Sequence, residues 1–244
     1  MAQTFRALIA GKSGSGKTHY LKTCLNYLKK QNKYRKLVII NSKQDLAQYC
    51  QRAFKIEQGK TYDRALNALE SSDSVFYQLL SADPREFLNQ LGPQIRNYRT
   101  NEDYKNMLIV IDEAIVSLRR GQVAPEFFPV ITESREYGVN LLIATQMLKS
   151  QSGGIDLAVM QQCTHMVLFR LQGNDLERVN EFFPELGDKA AKLQIYDAAT
   201  GGLPEFAVKN LSNSKAHAYV RDPQNPKKRV VLDLTDQDTT SAFF

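Results

Sequence analysis

No run of apolar residues in this chain approaches the roughly 20 that a membrane-spanning helix requires, so no membrane span is expected. Cysteine is scarce: Cys24, Cys50 and Cys163 are an odd set without paired spacing. This argues against a disulfide framework and for free thiols in a reducing compartment, so a cytoplasmic location is expected. Histidine is equally sparse. His19, His165 and His217 lie far apart, with no Cys spaced for zinc, which argues against a zinc site. Met1–Arg6 leads straight into an apolar stretch, so no signal peptide is expected. There is no internal repeat, no low-complexity tract and no Asn-Lys-x-Asp motif of the kind that reads guanine.

The 244 residues suffice for one large α/β domain with its own core, or a domain with a small appendage. Charge is unevenly spread. Residues 1–60 hold 13 Lys/Arg against 2 Asp/Glu, whereas the whole chain carries +6. A basic half can face an anionic partner such as nucleic acid. It can equally be a solvated helix face, because Lys22, Lys29 and Lys33 alternate with Leu21, Leu25 and Leu28 at helical spacing.

Strand-like and helix-like segments alternate, the pattern of a parallel sheet with helices on its faces. Strands are expected at 5–10, 36–41, 74–80, 107–112, 139–145 and 165–171. Their continuous apolar runs suit central strands covered on both sides. Helices are expected at about 17–30, 43–54, 61–70 and 125–137, with one more opening at Asp83-Pro84. Beyond residue 194 short strand-like pieces alternate with turns at Gly201-Gly202 and Pro223–Pro226-type spacing, so residues 195–234 read as a small β appendage to a main domain of residues 1–194. Residues 235–244 are acidic and end in Phe243-Phe244. They read as a frayed terminus or as a docking peptide for a protein partner.

Two motifs carry chemistry. Gly11-Lys12-Ser13-Gly14-Ser15-Gly16-Lys17-Thr18 satisfies G-x-x-x-x-G-K-[S/T], after a strand and before a helix. Its glycines let backbone N–H groups turn toward phosphate oxygens, and the helix adds its positive end. Lys17 is expected on the β/γ-phosphates and Thr18 on Mg²⁺. Met107–Ile111 is an apolar strand that ends in Asp112-Glu113, facing the crevice at the carboxyl ends of the strands. Asp112 is expected to hold Mg²⁺, and Glu113 to deprotonate the attacking water. These residues point to hydrolysis of ATP rather than GTP. Gln151-Ser152-Gly153-Gly154 looks like the signature loop of ABC-type ATPases, but it follows the acidic strand instead of preceding it, so it reads as a flexible loop.

The segment Thr132–Gln146, with Arg135, the Tyr137-Gly138 break, an apolar strand and Ala144-Thr145-Gln146, resembles the FtsK/HerA family of DNA-translocating ATPases. Cys163–Leu171 is similar to that family's next strand. The resemblance spans about residues 4–195. It implies a P-loop NTPase fold of the RecA-like/ASCE type, with a mostly parallel central sheet, helices on both faces and the small C-terminal β appendage.

It also implies a homo-oligomeric ring, in the family a hexamer, that hydrolyses ATP with Mg²⁺ and moves DNA. Gln146 would touch the γ-phosphate or the attacking water; it also reads as a plain strand-end amide. Arg135 would reach the neighbouring subunit's ATP as an arginine finger; it also reads as a helix salt bridge with Glu133 or Glu136. Arg170 stands as a second phosphate arginine, an interface arginine or a structural ion pair. From the early position of the phosphate loop and the lack of an apolar run long enough for a membrane helix, a stand-alone motor is expected, similar to the genome-packaging ATPases of double-stranded DNA viruses. Such a viral chain would act in the host cytoplasm.

Arg119-Arg120, Lys105 and Lys149 are candidates for DNA phosphate contacts, with a helix C-terminal pair the alternative for the first two. Two other functions share the same motifs. One is an ATPase that drives assembly or secretion of a protein or virion complex. The other is a nucleotide-dependent scaffold that recruits partners through the C-terminal tail.

Overall fold

The computed structural model of the chain describes residues 4–99, 106–133, 136, 138–149, 153–197, 199–213 and 215–235. Arg135, Lys105 and the tail from residue 236 onward lie outside the described residues.

Ten strands form one sheet. Seven run parallel: β1 (Arg6–Ala10), β2 (Lys36–Asn41), β3 (Arg52–Ile56), β4 (Ser74–Leu79), β5 (Met107–Ile111), β6 (Asn140–Thr145) and β7 (His165–Leu168). β8 (Phe206–Asn210), β9 (Ala216–Asp222) and β10 (Asn225–Asp233) continue beyond β7 in antiparallel fashion. The order across the sheet is β10-β9-β8-β7-β1-β6-β5-β2-β4-β3. β6 therefore lies between the strand of the phosphate loop and the strand of the acid pair, the interposed strand of the ASCE type. The three C-terminal strands extend the main sheet rather than stacking on it.

The apolar runs explain why these strands are central. All five residues of β1 and of β5 are buried, so neither face of the sheet is left to water. Alternate side chains feed two cores. On one face Ala7, Ile9, Leu37, Ile39, Leu108, Val110, Leu142 and Ala144 pack with Leu21 and Leu25 of α1 (Lys17–Lys30). On the other face Leu8, Val38, Ile40, Ile109, Ile111, Leu141 and Ile143 pack with α2 (Asp63–Ser71), α3 (Arg85–Arg99), α4 (Phe128–Thr132), α5 (Leu157–Gln161), α6 (Asn174–Phe182) and α7 (Pro184–Lys192). Each large aliphatic side chain buried this way contributes about 1.5–3 kcal/mol. α1 buries Leu21 and Leu25, half-buries Leu28 and leaves Lys29, Lys30 and Tyr27 exposed.

Three expectations change. The helix expected at 43–54 is a single 3₁₀ turn, Ala47–Tyr49, followed by β3. Arg52–Ile56 pairs with the open edge of β4, and only Ile56 of the five is fully buried. Mostly exposed residues carry too weak an apolar pattern to mark an edge strand. A helix is also expected from the sequence directly after Met107–Asp112, and it is one 3₁₀ turn, Ala114–Val116, entered from Glu113 in left-handed geometry (φ 53°, ψ 44°). The helix expected at 125–137 is confined to Phe128–Thr132 among the described residues.

Register brings the chemistry to one edge. Ala10 pairs with Thr145 and Leu168, and Ile111 pairs with Ile40 and Ile143. The residues that follow these strand ends are Gly11, Gln146, Asp112 and Asn41, all at the carboxyl side of the parallel sheet.

Candidate active site

The loop Gly11–Thr18 leaves β1 and closes onto α1. Gly11 N–H donates to Thr145 O (3.3 Å) and Lys12 N–H to Arg170 O (3.3 Å), so the neighbouring strands β6 and β7 anchor the loop. A Cβ on Gly11 would lie 2.6 Å from Phe169 Cβ, which restricts this position to glycine. Gly16 is at φ 107°, and a Cβ there would lie 2.6 Å from Pro204 Cγ. A Gly16→Ala substitution should strain or displace the loop at a cost on the order of 1–3 kcal/mol, weakening nucleotide binding by about 5- to 150-fold. Titration with a nucleotide analogue beside a thermal melt checks it, with the melt lowered by a few degrees as the strain is felt in the free protein too.

Lys17 folds back over its own loop. Its Nζ donates to Gly11 O (2.6 Å) and Lys12 O (2.9 Å). Burial lowers the ammonium's pKa, and the charges of Glu113 and Asp112 oppose that shift. The nearest anions to a group placed for phosphate are thus the two acids at the end of β5.

Asp112 is 5 % exposed. Its carboxylate accepts from the Glu113 N–H (2.9 Å) and from Asn41 Nδ2 (3.4 Å). Burial raises its pKa, while the Glu113 N–H and the Lys17 charge pull it back in part. Among the described residues no cation lies within ion-pair distance of it. A buried carboxylate with unmet charge, in a site where Thr18 offers a hydroxyl, fits a hard oxygen-seeking cation such as Mg²⁺.

The Glu113 carboxylate accepts from Gln146 Nε2 at both oxygens (2.5 and 2.6 Å) and from Lys43 Nζ (2.7 Å). The left-handed backbone of Glu113 is strained for a residue with a Cβ, a condition that clusters at functional sites. The Glu113 contact raises the pKa of Lys43. One cavity of about 470 Å³ is lined by the phosphate loop from Ser13 to Thr18, His19, Lys43, Glu113 and Gln146, together with Tyr196, Leu203 and Pro204. The volume is that of a small-molecule site.

The structure thus brings Lys17, Thr18, Asp112, Glu113 and Gln146 to one place. Arg135 lies outside the described residues. Arg170 makes no ion pair among the described residues; its carbonyl braces Lys12, and its Nε is buried without a hydrogen-bond partner. Arg119 bridges to Ile155 and Arg120 N–H donates to Gly154 O (2.8 Å), which ties these arginines to a neighbouring loop. Lys149 is paired with Glu177 and Glu181. Sequence reasoning missed Asn41, Lys43 and the wall at 196–204. The signal for the first two was present: β2 ends in polar Asn-Ser-Lys after four apolar residues, at the strand end where ligands sit.

The sequence profile described as "Poxvirus A32 protein" matches residues 1–197. The chain belongs to the poxvirus A32 protein family. No curated protein matches it. Among solved structures, members of other groups share its fold. The chain is similar to the genome packaging NTPase B204 of Sulfolobus turreted icosahedral virus 2, solved in complex with ATP-gammaS. The TM-score is 0.69 with 17% identity, over 89% of this chain and 98% of that one. It is also similar to the pCW3 conjugation coupling protein TcpA (TM-score 0.55, 15% identity, 97% of this chain and 62% of that one). A third is the cytoplasmic domain of the type VII secretion ATPase EccC of Thermomonospora curvata (TM-score 0.53, 16% identity, 85% of this chain and 24% of that one). At these identities the likeness establishes the fold alone, an α/β fold with a mostly parallel central sheet. Among the described residues no helix is long and apolar enough to cross a membrane.

Proposed function

We propose that this A32-family chain is an ATP-hydrolysing ring motor that moves DNA in genome packaging. The observation that carries the reading is the Glu113 carboxylate, held by Gln146 in the cavity that the phosphate loop also lines. A carboxylate base beside a phosphate site suits attack by water on a γ-phosphate.

The roles follow from placement. The N–H groups of residues 13–18 receive the phosphates at the start of α1. Lys17 exchanges its two carbonyl partners for β/γ-phosphate oxygens. Thr18 and Asp112 hold Mg²⁺, which when bound neutralises charge on those oxygens. Glu113 takes a proton from the attacking water, which requires it to give up one contact to Lys43 or Gln146. Gln146, just past the strand between loop and base, holds Glu113 and orients the water. Arg135 is assigned to the neighbouring subunit's ATP, in a ring of six.

DNA as the moved polymer is supported by membership of the A32 family and by the genome packaging role of B204, whose fold this chain shares. Of the basic loop residues, Arg119 and Arg120 make no ion pair among the described residues, which leaves their charge available to backbone phosphates. Such contacts are independent of sequence and weaken steeply with salt. Duplex DNA should therefore stimulate ATP hydrolysis at low salt, with the stimulation lost as salt rises through 50–200 mM, a range over which phosphate-contact binding falls by orders of magnitude. ATPase activity that ignores DNA at every salt concentration would leave the protein-moving alternative standing instead.

A further inference from the structure

The cavity lining has two kinds of chemistry. The phosphate loop, Lys43, Glu113 and Gln146 supply N–H groups and charge. Tyr196, Leu203 and Pro204 supply apolar surface, with Pro204 lying against Gly16 of the loop. Tyr196 is 52% exposed and lines the cavity, so part of its aromatic surface is open to a ligand there. A phosphate site accounts for the first kind only.

The apolar wall is built with care from a segment that has little core of its own. Residues 194–197 and 199–204 pair as a hairpin, in which Asp197 and Gly202 exchange two backbone hydrogen bonds (3.1 and 3.0 Å). Arg221 of β9 reaches into its concave side. Its guanidinium donates to Leu203 O (2.8 Å), Gln194 Oε1 (2.9 Å), Gly202 O (3.3 Å) and Ile195 O. Glu205 joins the hairpin to the sheet, accepting from Gln194 N–H (2.9 Å) and Arg221 N–H (2.8 Å). Arg229 Nε donates to Pro204 O (2.8 Å), with its guanidinium over the Phe206 ring. Phe206 in turn stacks on Tyr219 and meets Tyr20 of α1 edge-on. The hairpin is therefore fixed both to the sheet and to the helix that begins in the phosphate loop.

We infer that this hairpin is the nucleobase wall of the site, with Tyr196 presenting an aromatic face to the base of the bound nucleoside triphosphate beside Leu203 and Pro204. The inference rests on the ATPase reading and deepens it. A flat heteroaromatic ring is the part of such a ligand that gains from an exposed tyrosine and two apolar neighbours. The cavity runs continuously from that wall to the phosphate loop. Stacking tolerates any base, because every base has a π face. The wall thus adds affinity, and its contacts are independent of those made by the phosphates.

Binding of ATP-γ-S and of inorganic tripolyphosphate to the wild type, Tyr196→Ala and Tyr196→Phe tests this. Tyr196→Ala should weaken ATP-γ-S roughly 5- to 150-fold, the loss of one base–aromatic stack, and leave tripolyphosphate unchanged. Tyr196→Phe should restore ATP-γ-S binding. In turnover the loss should fall on KM, with kcat at saturating ATP within about twofold of wild type. Unchanged ATP-γ-S binding in Tyr196→Ala, or an equal loss for both ligands, overturns the wall and leaves the phosphate loop standing. A wild-type protein that binds neither ligand removes the ATPase reading and the wall with it.

Discussion

Glu113→Gln should stop ATP turnover while ATP still binds. General-base catalysis contributes about 10²–10⁴ in rate, so kcat should fall by at least about a hundredfold. The substitution keeps the length and shape of the side chain and removes only its basicity. The backbone of residue 113 keeps its left-handed geometry, because Asp112 still accepts the same N–H. Losses in stability are small. The Lys43 partner is half-exposed, at 54% of its side chain, and an exposed pair of this kind is worth about 0–1 kcal/mol. One of the two Gln146 contacts becomes donor against donor and must turn away. Neither change breaks a hydrogen bond of the phosphate loop, and Lys17 loses only the nearby Glu113 charge while keeping that of Asp112. Single-turnover hydrolysis and titration with ATP-γ-S separate the effects: chemistry is lost and affinity stays within a few-fold. Turnover within tenfold of wild type would remove Glu113 from the role of base, and Asp112 would be left as the acid with access to the cavity's edge.

How much of this site was written in the chain can be judged residue by residue. The phosphate loop and the acid pair were legible because each is local. Eight consecutive residues make the loop, and a fully apolar strand delivers Asp112 and Glu113 to the crevice. Parallel strands with both faces covered are uniformly apolar, and β1, β2, β5 and β6 stand out for that reason. What escaped were contacts set by register between distant strands. Lys43 and Glu113 are 70 residues apart and meet only because Ile40 pairs with Ile111. Asn41 touches Asp112 for the same cause. β3 escaped because an edge strand buries so little that its composition resembles a helix surface. The hairpin of residues 194–197 and 199–204 escaped because Arg221, its organising side chain, arrives from an antiparallel strand with no motif to announce it. Burial patterns reveal strands, whereas pairing between them fixes which polar groups meet.

The proposed arginine finger predicts an effect at least as large as that of the base. Such a residue spreads transition-state charge and is worth about 10³–10⁵ in rate, so Arg135→Ala should lower kcat by about a thousandfold or more. The informative experiment mixes Arg135→Ala with Glu113→Gln. Each variant alone should be inactive. In a mixed ring, the Arg135→Ala subunit keeps a good base and the Glu113→Gln subunit keeps a good finger. Where the second stands next to the first in the right order, the interface is complete. With equal, random mixing in a head-to-tail ring, about a quarter of interfaces have that arrangement. Activity should then return to at most about a quarter of wild type. Recovery should follow the mixing ratio with a maximum near equal amounts, a shape that no residue acting within its own subunit can give. A helix salt bridge with Glu133 or Glu136 would instead lower stability and leave the mixture as inactive as its parts. Co-purification through two different tags shows that mixed rings formed. Mixed rings without recovered activity count against Arg135 as the finger, and the search for it would pass to Arg170, whose buried Nε has no hydrogen-bond partner.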